Sequence, residues 1–201
     1  ETNHGLTDFW VVKLNATGTT ITFNRLLGGY GEERAYSIID VSSDNGYVVA
    51  GYSSSSANGN VSGVLNGLTD FWVIKLTSTG TLSWNRLVGG NAEEYAYSLV
   101  TVSDGSLIVG ESNSTGGGNI SGSKNGGSDY LIAKLSTTGT VSWTTLKGGS
   151  DDGLVCGSKW NRLYHSRRII VFSLRRCYRN YTWRNRFLGN KNKQFRNAAM
   201  E

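Results

Sequence analysis

Hydrophobic residues in the first 152 positions form short runs separated by polar, glycine-rich segments. Residues 9–14 are aromatic and aliphatic without alternation, which is typical of a strand covered on both faces. Residues 20–25 alternate instead, with Ile21, Phe23 and Arg25 on one face and small polar side chains on the other. No segment keeps a helical period over the length of a helix. The pattern predicts an all-β chain.

Two more strands are predicted before this pattern starts again. Residues 35–41 and 47–52 are rich in β-branched and aromatic side chains. The Ser-Asp-Asn-Gly sequence at 43–46 between them is a strong turn signal. Another turn is expected at Thr17-Gly18, where the glycine can adopt a positive φ. Each unit of about 60 residues therefore holds four predicted strands.

One sequence phrase occurs three times: an Asp, an aromatic residue, an aliphatic run with a single Lys, a Thr-Gly turn and a second aromatic residue. Its aspartates, Asp8, Asp70 and Asp129, are 62 and 59 positions apart, which identifies an internal repeat. We place the units at about 5–67, 68–126 and 127–152. The residues assigned to structural repeat positions are these three aspartates and Trp72, Trp84, Trp143, Gly51 and Gly110.

Four antiparallel strands with two apolar faces match the blade of a β-propeller, and a single blade cannot cover its own faces. We therefore expect a β-propeller-like array of stacked blades, with a β-solenoid or a sandwich-like repeat as the alternative. The polar segments 53–67 and 112–128 are expected to run over the surface. Fewer than three intact units cannot close a propeller ring, so we expect a fragment of a longer protein.

Charge is divided unevenly along the chain. Residues 1–152 hold eight Lys and Arg against fourteen Asp and Glu, a net charge of −6, whereas residues 153–201 hold twelve against one, a net of +11. Both cysteines, Cys156 and Cys177, lie in the second segment. A basic tail of this kind often binds nucleic acid.

A frameshift explains this tail better. Read one base later, codons allowed for residues 184–191 can encode V-T-D-F-W-V-I-K, and those for residues 159–168 can encode N-G-T-D-Y-I-I-A-G. Both phrases belong to the repeat and occur in its order. We interpret residues 153–201 as a frameshifted, non-native tail, with a genuine basic tail as the alternative. On this interpretation we expect no nucleic-acid partner.

The repeat pattern resembles that of bacterial proteins, common in the Bacteroidetes, with β-propeller-like units of about 60 residues in secreted or surface-anchored chains. The matching segments are Gly-Gly at 28–29, Ala-Tyr-Ser-Ile at 35–38, Asp-Asn-Gly-Tyr-Val-Val-Ala-Gly at 44–51, Asn-Val-Ser-Gly at 60–63, Asp-Phe-Trp-Val-Ile-Lys-Leu at 70–76, Gly80 and Trp84. The resemblance implies a propeller-like fold and a secreted or cell-surface location. The resemblance implies no particular activity. A secretion signal peptide is not visible in this fragment.

Acidic doublets follow each Gly-Gly pair, at Glu32-Glu33, Glu93-Glu94 and Asp151-Asp152. Paired carboxylates can bind Ca²⁺ or act as acid and base in glycoside hydrolysis. A catalytic pair needs two unlike environments, however, and a repeated motif supplies the same environment each time. The alternative is that they bond to the backbone at a turn. We keep Glu32, Glu33, Glu93 and Glu94 as candidates for surface recognition and calcium as a weak candidate ligand.

Other polar and aromatic residues divide between structure and recognition. Each repeat Asp precedes a strand and is expected to accept backbone N–H bonds. The recurrent tryptophans are expected in the core between blades, whereas Tyr36 and Tyr97 are candidates for a recognition surface. The Asn-rich loops 58–63 and 118–122 faintly resemble calcium loops.

No nucleotide-binding loop, zinc cluster or Ser-His-Asp arrangement is visible, and no apolar run is long enough to span a membrane. We therefore expect a non-catalytic repeat segment of a secreted or surface-anchored bacterial protein, serving as a scaffold or recognising a glycan or protein. The alternative is a fragment of a secreted carbohydrate-active enzyme whose site lies outside this chain.

Overall fold

A computed structural model of the chain describes residues 2–150, and the regular secondary structure in that range consists of β-strands alone. The strands are β1 Phe9–Leu14, β2 Ile21–Leu27, β3 Glu33–Val41, β4 Gly46–Ser53, β5 Asp70–Leu76, β6 Leu82–Val88, β7 Glu94–Val102, β8 Gly105–Ser112, β9 Asp129–Ser136 and β10 Val141–Lys147. The all-β prediction is confirmed for this part of the chain. The proposed frameshift, the Asp151-Asp152 doublet and both cysteines lie outside the described residues.

The strands form one hairpin and two four-stranded antiparallel sheets. The hairpin is β1–β2, the middle sheet has the order β3-β4-β5-β6, and the third sheet has the order β7-β8-β9-β10. Within each sheet, every strand pairs with the strands that precede and follow it in sequence. The sheets are therefore simple meanders.

The sheets are half a unit out of phase with the sequence repeat. The middle sheet joins the end of the first unit to the start of the second, because β4 pairs with β5 from Tyr47↔Leu76 to Ser53↔Asp70 across a long loop. The four strands of one unit, which we expected to form one blade, are divided between two sheets. The physical reason is the link at residues 28–32, which carries the chain from β2 into the next sheet.

The middle sheet is covered on both faces. All seven residues of β5 are buried. Phe71 and Val73 pack in a core shared with the third sheet, and Trp72 and Ile74 pack in a second core shared with the hairpin β1–β2. The Phe9 and Trp72 ring centroids are 4.6 Å apart. The non-alternating apolar pattern therefore reflects a strand between two neighbouring sheets.

Candidate functional site

The first strand of each four-stranded sheet contains a β-bulge at a tyrosine. In the β3–β4 ladder Ala35 pairs with Gly51 and Ser37 with Ala50, so Tyr36 is the extra residue. The β7–β8 ladder shifts register in the same way between Ala96 and Ser98, around Tyr97. A bulge bends its strand and redirects the side chain of the extra residue, and bulges are over-represented beside functional sites.

A glycine opposite each bulge permits this geometry. A Cβ on Gly51 would overlap the carbonyl oxygen of Arg34, and a Cβ on Gly110 would overlap that of Tyr95. Only a residue without a side chain allows the bulged strand to approach so closely. The repeat glycines Gly51 and Gly110 are thus coupled to the presentation of Tyr36 and Tyr97.

The two bulges bring four tyrosines together, which we call the tyrosine cluster: Tyr36, Tyr52, Tyr95 and Tyr97. Ring centroids are 5.4 Å apart for Tyr36 and Tyr97, 6.0 Å for Tyr36 and Tyr52, and 4.9 Å for the edge-on pair Tyr52 and Tyr95. Tyr36 is 48% exposed and Tyr52 is 6% exposed. The cluster is therefore anchored in the fold and presents Tyr36 at the surface.

Charged groups at the edge of the cluster are paired. Arg34 Nε donates to Glu32 Oε1 at 2.8 Å, and the Tyr97 hydroxyl lies 3.5 Å from Glu111 Oε2. Burial raises the pKa of Tyr36 and of Tyr97, and it raises the pKa of Tyr52 to about 12. These hydroxyls stay neutral at physiological pH and can both donate and accept hydrogen bonds.

An open groove of about 270 Å³ runs beside Tyr36 between β1 and β3. Trp10 lines its other side and is 67% exposed, and its Nε1 donates to Asn24 Oδ1 at 2.7 Å. Val12, Ile38 and Val49 also line it. The groove thus combines aromatic and aliphatic lining residues beside the exposed Tyr36.

Two of the four glutamates considered for surface recognition are buried, which corrects that expectation. Glu33 is 1% exposed and Glu94 is 0% exposed. Glu33 Oε2 accepts a bond from Gly29 N at 2.7 Å, and its Oε1 accepts one from Ser53 Oγ at 2.6 Å. Glu94 makes the equivalent bonds to Gly90 N and Ser112 Oγ, at 2.8 and 2.6 Å. Both carboxylates fix the link that carries the chain between sheets.

The other glutamate of each doublet, Glu32 or Glu93, lies nearer the surface. Glu32 is half-buried and bonds to Arg34 beside the tyrosine cluster. Glu93 is half-buried in the equivalent position, where it forms a short parallel bridge with Thr69. Of the two doublets that the structure describes, the first therefore places a side chain, Glu32, beside the tyrosine cluster.

The three repeat aspartates fix the entry into β1, β5 and β9. In each, Oδ2 accepts a bond from the backbone N–H four residues earlier: His4 at 3.1 Å, Asn66 at 3.2 Å and Asn125 at 2.9 Å. The other oxygen, Oδ1, is buried with no donor among the described residues. Burial, followed by the negative charge of Glu94, raises the pKa of Asp70 to about 6, although bonds from Asn66 oppose the shift.

The repeat tryptophans hold two positions, Trp10 and Trp72 in one and Trp84 and Trp143 in the other, and exposure differs within each pair. Trp72 is fully buried and Trp84 is half-buried. Trp143 is 47% exposed, so the expectation that all the recurrent tryptophans lie in the core is wrong for it and for Trp10. These two rings lie on the outer sheets of the stack, where no described residues cover them.

The loop 58–63, the first of the two that resemble calcium loops, uses its asparagines for backbone bonds. Asn58 Oδ1 accepts from Tyr30 N at 2.6 Å and Asn60 Oδ1 accepts from Gly28 N at 3.2 Å. Within residues 2–150 no three His, Cys, Asp or Glu side chains are grouped closely enough to hold a metal ion. These asparagine oxygens secure the Gly-Gly link.

No protein family matches the chain, and no curated protein is significantly similar to it. The part of the chain that the structure describes contains no helix that could cross a membrane.

Proposed function

We propose that this chain is a β-propeller-type repeat segment of a secreted or surface-anchored bacterial protein, and that it is a non-catalytic recognition scaffold. The ligand class that the tyrosine cluster fits best is a neutral glycan. The observation that carries the proposal is the repeated bulge, which places Tyr36 and Tyr97 side by side.

The stacking of the sheets supports a propeller-type array. Two four-stranded meanders lie face to face, and the hairpin β1–β2 covers the other side of the middle sheet. The cores alternate with the sheets, as they do when successive blades cover one another. Location and bacterial origin rest on the resemblance of the repeat pattern.

The chemistry of the cluster supports a glycan over a charged ligand. Arg34 and Glu32 neutralise each other, and the tyrosine hydroxyls are neutral. The Glu111 carboxylate beside Tyr97 can accept a hydrogen bond from a sugar hydroxyl. Aromatic faces bind the apolar C–H surface of a sugar ring, while hydroxyl and charged groups at their edge bond to its hydroxyls. The exposed ring of Tyr36 and the groove beside it offer both kinds of contact.

The test is binding of the full chain to an array of neutral polysaccharides, followed by titration calorimetry on any polysaccharide retained. We expect Tyr36→Ala and Tyr97→Ala each to weaken binding by about tenfold or more, since aromatic anchors dominate binding energy. Tyr30→Ala is the matched control, because Tyr30 is 73% exposed and lies outside the cluster.

Three outcomes count against the proposal. Binding that survives both cluster substitutions would place the ligand elsewhere. Loss of binding in the Tyr30→Ala control would show a non-specific effect. Retention of peptides or proteins but of no polysaccharide would identify the cluster as a protein-binding surface.

A further inference from the structure

Adjacent sheets are joined by an aromatic ring packed on a glycine. The Thr-Gly turn between β5 and β6 has Gly80 buried under the Phe23 ring of β2, so closely that a Cβ on Gly80 would lie 2.7 Å from ring carbons. Arg25 on the same strand donates from Nε to the carbonyl oxygen of Gly80 at 2.9 Å. We call this contact, an aromatic ring of one sheet packed on the turn glycine of the next, the joint between the hairpin and the middle sheet.

The same joint links the middle sheet to the third. Gly139, in the turn between β9 and β10, is buried under the Trp84 ring of β6, and a Cβ there would lie 2.6 Å from it. The Trp84 indole Nε1 donates to the carbonyl oxygen of Thr137 in the same turn at 3.1 Å. Two joints of one design, one unit apart, show a repeated interface between sheets.

One half of this joint is open at each end of the stack. Gly18 holds the position of Gly80 and Gly139 and has the same left-handed backbone, with φ of 71° against 82° and 80°. No described atom beyond its chain neighbours lies within 4 Å of a Cβ built on it. Trp143 holds the position of Phe23 and Trp84, and its ring is 47% exposed.

The sheet face beside Gly18 is open in the same way. Trp10 is 67% exposed whereas its equivalent Trp72 is fully buried, and Leu14 is 49% exposed whereas its equivalent Leu76 is fully buried. In the middle sheet these positions are covered by the hairpin, with Phe9 on Trp72. The open face of the hairpin therefore has the shape and apolarity of a surface that receives another sheet of this repeat.

We propose that the chain associates head to tail with a second copy of itself, the Trp143 ring of one copy packing on Gly18 of the next. The two internal joints indicate that the partner is a second copy, because this chain carries both an uncovered turn glycine and an exposed ring at the equivalent position. Trp143 offers the ring and Gly18 the bare backbone that a ring requires. The inference rests on the packing between sheets and is independent of the tyrosine cluster.

This interface is heterologous, so each added copy presents the same open half as the last. Such contacts close into rings or extend into filaments, according to the rotation between successive copies. A concentration-dependent series of oligomers is therefore expected.

The test is sedimentation velocity of the full chain over a dilution series. We expect association of the unaltered chain and at least a tenfold increase in dissociation constant for Trp143→Ala, since a packed interfacial Trp is an energetic anchor. Trp143→Phe should retain association, because Phe23 makes this joint in the hairpin. Tyr30→Ala is the exposed aromatic control.

The opposite half is tested with Gly18→Asn. Asn tolerates the left-handed backbone, and its Cβ would occupy the space that the ring needs. Each variant alone should associate at least tenfold more weakly than the unaltered chain. A mixture of Trp143→Ala and Gly18→Asn chains keeps one complete joint, so it should form one-to-one dimers and nothing larger.

A chain that stays monomeric at every concentration would overturn the proposal. So would a Trp143→Ala chain that associates as strongly as the unaltered one, or a mixture that forms no dimer. Circular dichroism of each variant checks that the sheets are intact.

Discussion

At the residue scale, the first glycine of the Gly-Gly link has no room for a side chain because buried carboxyl groups lie against it. A Cβ on Gly89 would lie 2.5 Å from Glu94 Oε2 and would overlap Asp70 Oδ1, so both carboxyl groups press on this glycine. Glu94 is held by two donors, whereas Asp70 Oδ1 has none among the described residues. A buried oxygen without a donor beside a second carboxylate favours the protonated form of Asp70.

Asp70→Asn should therefore stabilise the fold at high pH. The pKa of Asp70 is raised to about 6 in the folded state, so the stability that its proton contributes is complete below about pH 4 and is lost as pH rises through about 6. The amide keeps the acceptor for Asn66 and adds a donor. We expect the free energy of unfolding to rise by about 1–3 kcal/mol near pH 8 and to change little near pH 4, measured by urea denaturation.

Asp44→Asn is the control of opposite sign. The bond from Lys75 lowers the pKa of Asp44, so its ionised form contributes stability that is present above about pH 4 and lost below it. Since the Asp44 side chain is 53% exposed, the loss near pH 8 should stay below about 1 kcal/mol. Equal destabilisation by Asp70→Asn at both pH values would contradict the raised pKa of Asp70.

At the element scale, the β-bulges connect local sequence to the candidate site. Tyr36 and Tyr97 are the extra residues of β3 and β7, and Gly51 and Gly110 on the paired strands leave room for the backbone of the bulge. All four positions stand out in the sequence, but their relationship does not. Nothing in a strand pattern states which residue of a neighbouring strand lies opposite, so the bulge could not be located in advance.

Gly110→Ala should break this arrangement. Its Cβ would overlap the Tyr95 carbonyl oxygen and lie 2.7 Å from the Phe71 ring, and neither a backbone nor a fully buried ring can move cheaply. We expect a loss of about 2–4 kcal/mol in the free energy of unfolding and altered near-ultraviolet circular dichroism from the displaced tyrosines.

Gly149→Ala is the matched control, because no atom of the described residues lies within 4 Å of its Cβ and its backbone is not left-handed. It should change stability by less than about 0.5 kcal/mol. A Gly110→Ala chain as stable as this control would show that the bulge can relax.

At the scale of the whole molecule, position in the stack decides the role of each repeat residue. Trp10 and Trp72 follow the same Asp-Phe sequence and bond to equivalent asparagines, Asn24 and Asn85. Trp72 lies between two sheets and is fully buried, whereas Trp10 lies on the outer face of the hairpin. Equal local sequences therefore have unequal energetic weight.

Trp72→Ala should cost about 3–5 kcal/mol and lower the stability of both adjoining sheets together, because it removes a buried ring from the core between them. Trp10→Ala, the same change one unit earlier, should cost less than about 0.5 kcal/mol in dilute protein. Thermal unfolding followed by tryptophan fluorescence and circular dichroism measures both. Similar costs for the two variants would contradict the difference in burial.

Sequence by itself determined the elements and the repeat. Strand type follows from short apolar runs bounded by turn residues. The prediction that residues 9–14 form a strand covered on both faces is wrong for β1, where Trp10 and Leu14 are exposed, although the equivalent strand β5 is buried throughout. Recurrence of Asp, Gly and Trp located the structural positions, since a repeated fold needs the same residues each time. Tyr36 and Tyr97 were also identified as candidates for a surface site.

Tertiary structure alone decided which strands share a sheet and which side chains are exposed. The half-unit offset arises because β4 pairs with β5 across a long loop, and such a pairing leaves no local signal. The burial of Glu33 and Glu94 was not predicted, because a carboxylate can be buried only where distant residues supply hydrogen-bond donors. Here the donors are Ser53 and Ser112. Trp10 and Trp143 are exposed for the same reason, since burial belongs to the neighbouring sheet and not to the residue.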